Sequence, residues 1–186
     1  MKKMTTFELC ISAFFAALTA VLAQIAIPIG PVPITLGSFA VLLSGVLLGA
    51  KSGTVSQIVY VLLGAVGVPV FASFKAGVGV LAGPTGGYIA GYILAAWIAG
   101  FIAERFGNKI YVLLLAAFAG YLVYTAAGTF WYMFSTNTGF SETLMVCVIP
   151  FLPGDAVKIV LAAALAHQLR PVLQNQYLAK SVKIRD

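Results

Sequence analysis

Charged side chains are scarce in this sequence, and so are most of the groups that an enzyme would use. Only 9% of the 186 residues are charged, and the chain contains five acidic residues, one histidine and two cysteines. A metal site or a catalytic set needs several such side chains close together. His167 has no such neighbour in the sequence, and no motif frames a serine or cysteine nucleophile. We therefore predict that the chain is not an enzyme and has no catalytic residue, metal site or cofactor.

Long apolar stretches take the place of the missing charges. Hydrophobic residues make up 61% of the chain, and the mean hydropathy is +1.04. An apolar helix of about 20 residues spans the roughly 30 Å hydrocarbon core of a bilayer. We therefore predict an all-α, polytopic membrane protein with one domain over residues 1–186 and six transmembrane helices, at about 7–27, 34–50, 54–70, 84–103, 110–134 and 153–174.

The basic residues predict the orientation, because Lys and Arg concentrate in cytoplasmic loops. Lys75 falls in an outer loop and Lys158 inside the last helix. If both termini are cytoplasmic, the other nine basic residues lie on the inner side: Lys2, Lys3, Lys51, Arg105, Lys109, Arg170, Lys180, Lys183 and Arg185. The net charge of +6 then reflects membrane topology. Binding of nucleic acid is not expected, since no basic stripe with interleaved aromatic residues occurs.

Asp155 and Lys158 are the ionisable residues that this topology places at membrane depth. An ionisable side chain there is costly and by default indicates function. The two residues lie three positions apart, so they share a helix face and can neutralise each other. Asp155 follows Pro153 and Gly154, and it could cap the start of the helix. A capped helix start and a recognition site for a polar ligand are both compatible with this pattern.

A glycine-rich connection joins the third and fourth predicted helices. It runs from Phe71 through Gly83-Pro-Thr-Gly-Gly-Tyr88, so its backbone can approach a ligand closely and could move as a lid. It lacks the Gly-Lys-Ser/Thr ending of a phosphate-binding loop. Together with nearby aromatic residues, it favours a pocket for a small amphiphilic molecule near the outer surface.

Small residues at spacing four mark one face of the first helix, where Ala13 and Ala17 lie. Such residues let membrane helices approach closely. The face could pack within the chain or dock a partner protein.

The sequence has no internal repeat, no carboxylate at the bilayer midplane and no nucleotide-binding motif. If the chain mediates uptake, we expect another subunit to supply the energy.

Several runs of residues, in order over about residues 6–169, carry a resemblance to a known family: residues 33–36, 39–43, 45–49, 60–72, 83–88 and 150–158. They resemble the BioY family, the biotin-binding S components of energy-coupling-factor (ECF) transporters. The resemblance implies a six-helix S component in the plasma membrane of a prokaryote. Such a protein captures biotin at the outer surface, and it works with a transmembrane coupling subunit and two ABC-type ATPase subunits.

The resemblance also implies roles for particular residues. The family's acidic and basic residues at the start of helix six fall on Asp155 and Lys158, and the Ala13 and Ala17 face is similar to the one that docks the coupling subunit. Gly37 departs from a frequent glutamine of the family, and Phe74 and Lys75 replace a glycine-rich stretch. The expected substrate-binding residues are Asp155, Lys158, Tyr88, Gly83, Thr85, Gly86 and Phe71. An S component for another vitamin and a stand-alone secondary carrier are the alternatives.

Overall fold

The computed structural model describes residues 4–28, 30 and 32–183, with side chains up to residue 173. Helices dominate the described part of the chain. In order, the elements are α1 (Thr6–Ala23), β1 (Ala26–Ile27), β2 (Ile34–Thr35), α2 (Gly37–Ala65), a 3-10 turn (Ala72–Phe74), α3 (Val78–Ala82), α4 (Gly86–Phe106), α5 (Ile110–Thr136), α6 (Phe140–Cys147), a second 3-10 turn (Ile149–Phe151) and α7 (Leu152–Lys183).

Five stretches of helix are long and apolar enough to cross a membrane. Large apolar side chains on their surfaces, such as Phe14, Phe101 and Leu115, are exposed, as suits contact with lipid. The chain is therefore a multi-pass membrane protein. The five stretches are Thr6–Ala23, Gly37–Ala65, Gly86–Phe106, Ile110–Thr136 and Phe140–Leu173.

Helix α2 doubles back on itself at Gly49. This residue has φ 86° and ψ 178°, a conformation that glycine adopts more readily than other residues. A Cβ built on Gly53 would lie 2.8 Å from the Ser44 carbonyl oxygen. In a straight helix, at a rise of about 1.5 Å per residue, these two residues would be about 13 Å apart. Residues 37–48 and 50–65 are therefore two antiparallel arms, joined by one glycine where the sequence suggested a short loop.

A buried polar bridge joins α1 to both arms of α2. The Gln57 Nε2 group donates to Ser44 Oγ at 3.0 Å, to Ser56 Oγ at 3.1 Å and to Thr19 Oγ1 at 3.3 Å. Each of the three hydroxyls donates in turn to a carbonyl of its own helix, so its lone pairs are available to Gln57. All four side chains are fully buried. In a bilayer such hydrogen bonds hold helices together where apolar contact alone does not.

A second set of hydrogen bonds ties α7 to the turn between α4 and α5. Arg170, which is buried, donates to the carbonyl oxygens of Ala103 at 2.9 Å and Gly107 at 3.4 Å. The Asn108 amide donates to the His167 carbonyl at 3.1 Å, and His167 Nδ1 lies 2.7 Å from the Asn108 carbonyl oxygen. The single histidine is therefore part of a helix contact at the end of the bundle where α4 ends.

Several boundaries differ from those that the sequence predicted. Residues 34 and 35 belong to a two-strand hairpin with β1, and α2 begins only at Gly37. Strands of two residues are too short to show an alternating pattern. The second arm of α2 ends at Ala65 instead of near residue 70, because Gly67 has φ 106° and Pro69 follows it. Helix α7 extends to Lys183, beyond the predicted end near residue 174.

Candidate ligand-binding pocket

A cavity opens at the end of the bundle where α1 ends and α2, α4 and α7 begin. Its empty space, counted together with the open solvent at its mouth, is about 860 Å³. Apolar and aromatic walls with a few convergent polar groups are typical of small-molecule sites. The side chains with polar groups that line it are Thr35, Ser38, Tyr60, Lys75, Thr85, Tyr88, Tyr92, Tyr124, Thr125, Asp155 and Lys158.

Asp155 and Lys158 form a buried ion pair in the wall of this cavity. Both lie in the first turns of α7, and the distance from Lys158 Nζ to Asp155 Oδ1 is 2.9 Å. The ammonium also donates to Ser38 Oγ at 3.1 Å. Each of the three residues is about 95% buried, with exposed fractions of 5–6%. Burying two charges is costly unless they are paired and hydrogen-bonded. The pair and its serine meet that condition and still face the cavity.

Aromatic side chains form much of the remaining wall. Tyr92 and Tyr124 pack edge to face with ring centroids 5.5 Å apart, and Tyr60 packs in the same way on Phe71 at 5.7 Å. The Tyr124 hydroxyl and Thr125 Oγ1 are buried and make no hydrogen bond to another described residue. Buried hydroxyls normally have a partner, which can be a ligand or a water molecule. These two groups are therefore candidates to bind a ligand.

Residues 71–75, which we call the lid segment, cover one side of the cavity. The Phe71 N–H donates to the Lys75 carbonyl at 3.1 Å, so the segment is a small closed loop. Phe71 is buried, and its ring lies where a Cβ on Gly64 would be. Lys75 is exposed at the mouth, and its ammonium has no ion pair or hydrogen bond to another described residue. The glycine-rich connection thus contributes to the cavity from both of its ends, with Phe71, Ala72 and Lys75 at the start and Thr85 and Tyr88 at the end.

Most of the residues that the sequence singled out come together here, although two glycines do not. The Gly83 carbonyl accepts a hydrogen bond from Trp131 Nε1 at 2.9 Å, and a Cβ on Gly86 would overlap the carbonyl of Leu81. Gly86 therefore allows close backbone packing at the start of α4, and both glycines lie outside the lining of the cavity. The predicted residues that do line it are Asp155, Lys158, Tyr88, Thr85 and Phe71.

Other lining residues escaped the sequence analysis. Ser38 meets Lys158 across 120 positions of the chain, so no local pattern could indicate it. Tyr92 follows Tyr88 by four positions, and that spacing places both on one face of α4. This was a usable signal, because Tyr88 was already a candidate. Tyr124 reaches the cavity from α5 and gave no comparable signal.

The face of α1 with Ala13 and Ala17 is exposed. Ala16, one position from Ala17 on the same helix, is by contrast 2% exposed and packs inward. The described part of the chain therefore does not cover the Ala13 and Ala17 face. It is a smooth, apolar surface flanked by Phe14 and Val21, both of which are exposed.

Comparisons with known proteins agree on one family. The family model described as "BioY family" matches residues 1–175. The biotin transporter BioY of Thermotoga maritima is 43% identical over 163 residues, which cover 88% of this chain and 95% of the relative. The probable biotin transporter BioY of Pyrococcus horikoshii is 40% identical over 163 residues, with 88% and 96% covered.

A solved structure with the same fold supports this assignment. It is the crystal structure of the S-component for biotin from an ECF-type ABC transporter, and it superposes with a TM-score of 0.84. The two sequences are 29% identical, and the match covers 91% of this chain and 95% of the other. With the family model and the relatives, the likeness extends over nearly the whole chain. The chain belongs to the BioY family.

Proposed function

We propose that this chain is the biotin-binding S component of an ECF-type vitamin transporter. The observation that carries the proposal is the Asp155–Lys158 pair beside Ser38, in an aromatic cavity of a BioY-family protein. The pair offers a hydrogen-bond acceptor and a donor within 3 Å of each other, on side chains that are about 95% buried. Charge-assisted hydrogen bonds of this kind are strong and selective.

Biotin has the chemistry that this cavity can hold. Its ureido ring presents two N–H donors and a carbonyl acceptor, its sulfur ring and aliphatic chain are apolar, and its tail is a carboxylate. One acidic and two basic side chains line the cavity, and they leave one positive charge. Lys75 carries that charge at the mouth, while Lys158 is neutralised by Asp155. A ligand with one negative charge is therefore favoured. Tyr88, Thr85 and Phe71 are proposed as further contacts.

The proposed topology has six crossings with both termini in the cytoplasm, in the plasma membrane of a prokaryote. The five long stretches of helix give six crossings when the two arms of α2, which reverse at Gly49, are counted separately. An even number returns the chain to its starting side. The distribution of basic residues supports a cavity on the outer side, where it can capture its ligand.

The proposed partners are a transmembrane coupling subunit and two ABC-type ATPase subunits. The sequence holds no nucleotide-binding motif, so ATP-driven uptake requires them. Ala13 and Ala17 are proposed to dock the coupling subunit. Their face is exposed on α1. In lipid the hydrophobic effect does not drive helices together, and small residues permit the close packing that does.

Ligand identity is tested by a binding measurement on the purified chain. We expect biotin at micromolar concentration to change the fluorescence of Trp131, which lies on α5 and donates a hydrogen bond to the Gly83 carbonyl just before α4. We also expect mass spectrometry to find biotin among copurified ligands. Thiamine and riboflavin serve as controls. A response to one of these and none to biotin would show an S component for another vitamin.

Energy coupling is tested in liposomes. The chain alone is expected to bind biotin without accumulating it, whereas the chain with coupling subunit, ATPases and internal ATP is expected to accumulate it. Concentrative uptake by the chain alone would show a stand-alone secondary carrier instead.

A further inference from the structure

The side chain of Gln24 holds the lid segment to the end of α1. The two hydrogens of its Nε2 group are donated among three carbonyl oxygens, those of Val70 at 3.1 Å, Phe71 at 3.2 Å and Ala20 of its own helix at 3.1 Å, so one hydrogen is shared. Its Oε1 atom accepts from the Phe74 N–H at 2.8 Å. Both ends of the amide are therefore used, and three of the four hydrogen bonds reach across 46 to 50 positions of the chain.

The lid segment adopts a backbone that needs such support. Ser73 and Phe74 have φ values of 60° and 57°, in the left-handed region that residues with a Cβ rarely occupy. The Phe74 side chain is 71% exposed and gives the segment little packing. Residues held in this region persist when their surroundings fix them, and they cluster at ligand clamps and switches. Gln24 contributes a hydrogen bond at the strained position itself.

The other flank of the lid segment is anchored differently. Phe71 is 1% exposed and lies between Tyr60 and Gly64 on the second arm of α2. The Gly77 N–H, just beyond the segment, donates to the Gly64 carbonyl at 2.7 Å. The segment is thus fixed to α2 by packing and is held to α1 by the hydrogen bonds of Gln24, while Phe71 also shares a buried apolar cluster with Ala16 and Ala23 of α1. Substitution of Gln24 can therefore remove the hydrogen bonds without changing the residues that pack around Phe71 on α2.

We propose that Gln24 is a latch, a positioning residue that keeps the lid segment closed over the ligand and makes its position depend on α1. This inference rests on the function proposed above. Phe71, Ala72 and Lys75 of the segment line the cavity, whereas Gln24 does not. Gln24 therefore acts on a ligand through the segment alone. A displacement of α1 along its axis pulls on the segment through the three of these hydrogen bonds that leave α1, and opening of the segment releases the ligand.

Ligand dissociation from two variants tests the latch. Gln24→Ala removes all four hydrogen bonds. Gln24→Glu keeps the acceptor for the Phe74 N–H, but it turns a carboxylate oxygen toward the carbonyls of Ala20, Val70 and Phe71. We expect both to accelerate the dissociation of radiolabelled biotin from the detergent-solubilised full chain by about tenfold. Val21→Ala, an exposed change on the same helix, is the matched control and should dissociate at the wild-type rate.

Hydrogen exchange of the lid segment supplies a readout that does not need ligand. The Phe74 amide should exchange faster in Gln24→Ala than in the wild type, and Gln24→Glu should retain part of the protection because its carboxylate still accepts from that amide. Wild-type exchange and wild-type dissociation in both variants would overturn the latch. Failure of the wild-type chain to bind biotin would overturn the ligand assignment instead, and exchange at residues 71–75 would still decide the latch.

Discussion

The Lys158 ammonium lies 3.1 Å from Ser38 Oγ, and this contact joins the first turn of α2 to the first turns of α7. It gives the buried ammonium a second partner beside Asp155. A ligand that binds the pair therefore meets side chains fixed by two helices. Preorganisation of this kind lowers the entropy that is lost on binding.

Removal of one charge of the pair should weaken biotin binding strongly. Asp155→Asn leaves Lys158 buried without a counter-charge, and Lys158→Ala leaves Asp155 in the same state. We expect each to lower affinity by at least about thirtyfold, or roughly 2 kcal/mol. Isothermal titration calorimetry measures the effect, and Glu142→Gln, an exposed acidic residue on α6, is the control. Unchanged affinity in both variants would leave the pair with a purely structural role.

Ser38→Ala should have a smaller effect of the same sign. The change removes one hydrogen bond from Lys158 but leaves the ion pair in place. We expect affinity for biotin to fall about fivefold, or roughly 1 kcal/mol. Ser135→Ala removes a comparable serine contact on α5 outside the cavity and should leave affinity unchanged. Equal losses in the two variants would contradict a role of Ser38 in the site.

Gly49→Ala should destabilise the protein. A side chain at φ 86° is strained, and its Cβ would also overlap the carboxylate of Glu104. We expect a loss of roughly 1–3 kcal/mol, seen as a lower thermal unfolding midpoint in detergent. Gly139→Ala is the control, because Gly139 has φ −66° and nothing lies within 4 Å of an added Cβ. Equal midpoints for the two variants would show that the reversal of α2 does not require glycine.

Enlarging the exposed small residues of α1 should separate binding from docking. Ala13→Leu and Ala17→Leu are expected to leave biotin affinity unchanged, since neither residue lines the cavity. Both should reduce copurification with the coupling subunit severalfold, because larger side chains prevent close helix approach. Ala126→Leu, at an exposed position on α5, is the matched control. Normal copurification of both α1 variants would place the docking surface elsewhere.

The features that the sequence predicted correctly depend on local patterns. The spacing of Asp155 and Lys158 required only one helix face, and the apolar stretches required only composition. Ser38 and Tyr124 reach the cavity through tertiary packing, which no local pattern encodes. The sharp reversal at Gly49 was hidden because several glycines lie nearby, and only packing determines which of them takes a positive φ. The sequence also does not distinguish whether Gly83 and Gly86 serve close packing or the approach of a ligand, and both lie outside the lining of the cavity.

Helices α7 and α1 are attached to the rest of the bundle in different ways. Lys158 attaches α7 to α2 at the cavity, and Arg170 attaches it to the end of α4 at the other end of the bundle. In the described part of the chain, α1 has its extensive contacts with α2 alone. The proposed recognition groups Asp155 and Lys158 thus lie in a wall that is joined to α2 and α4, whereas the lid segment is joined to α2 through Phe71 and to the more peripheral α1 through Gln24. We expect this arrangement to let the lid segment move while Asp155 and Lys158 keep their geometry.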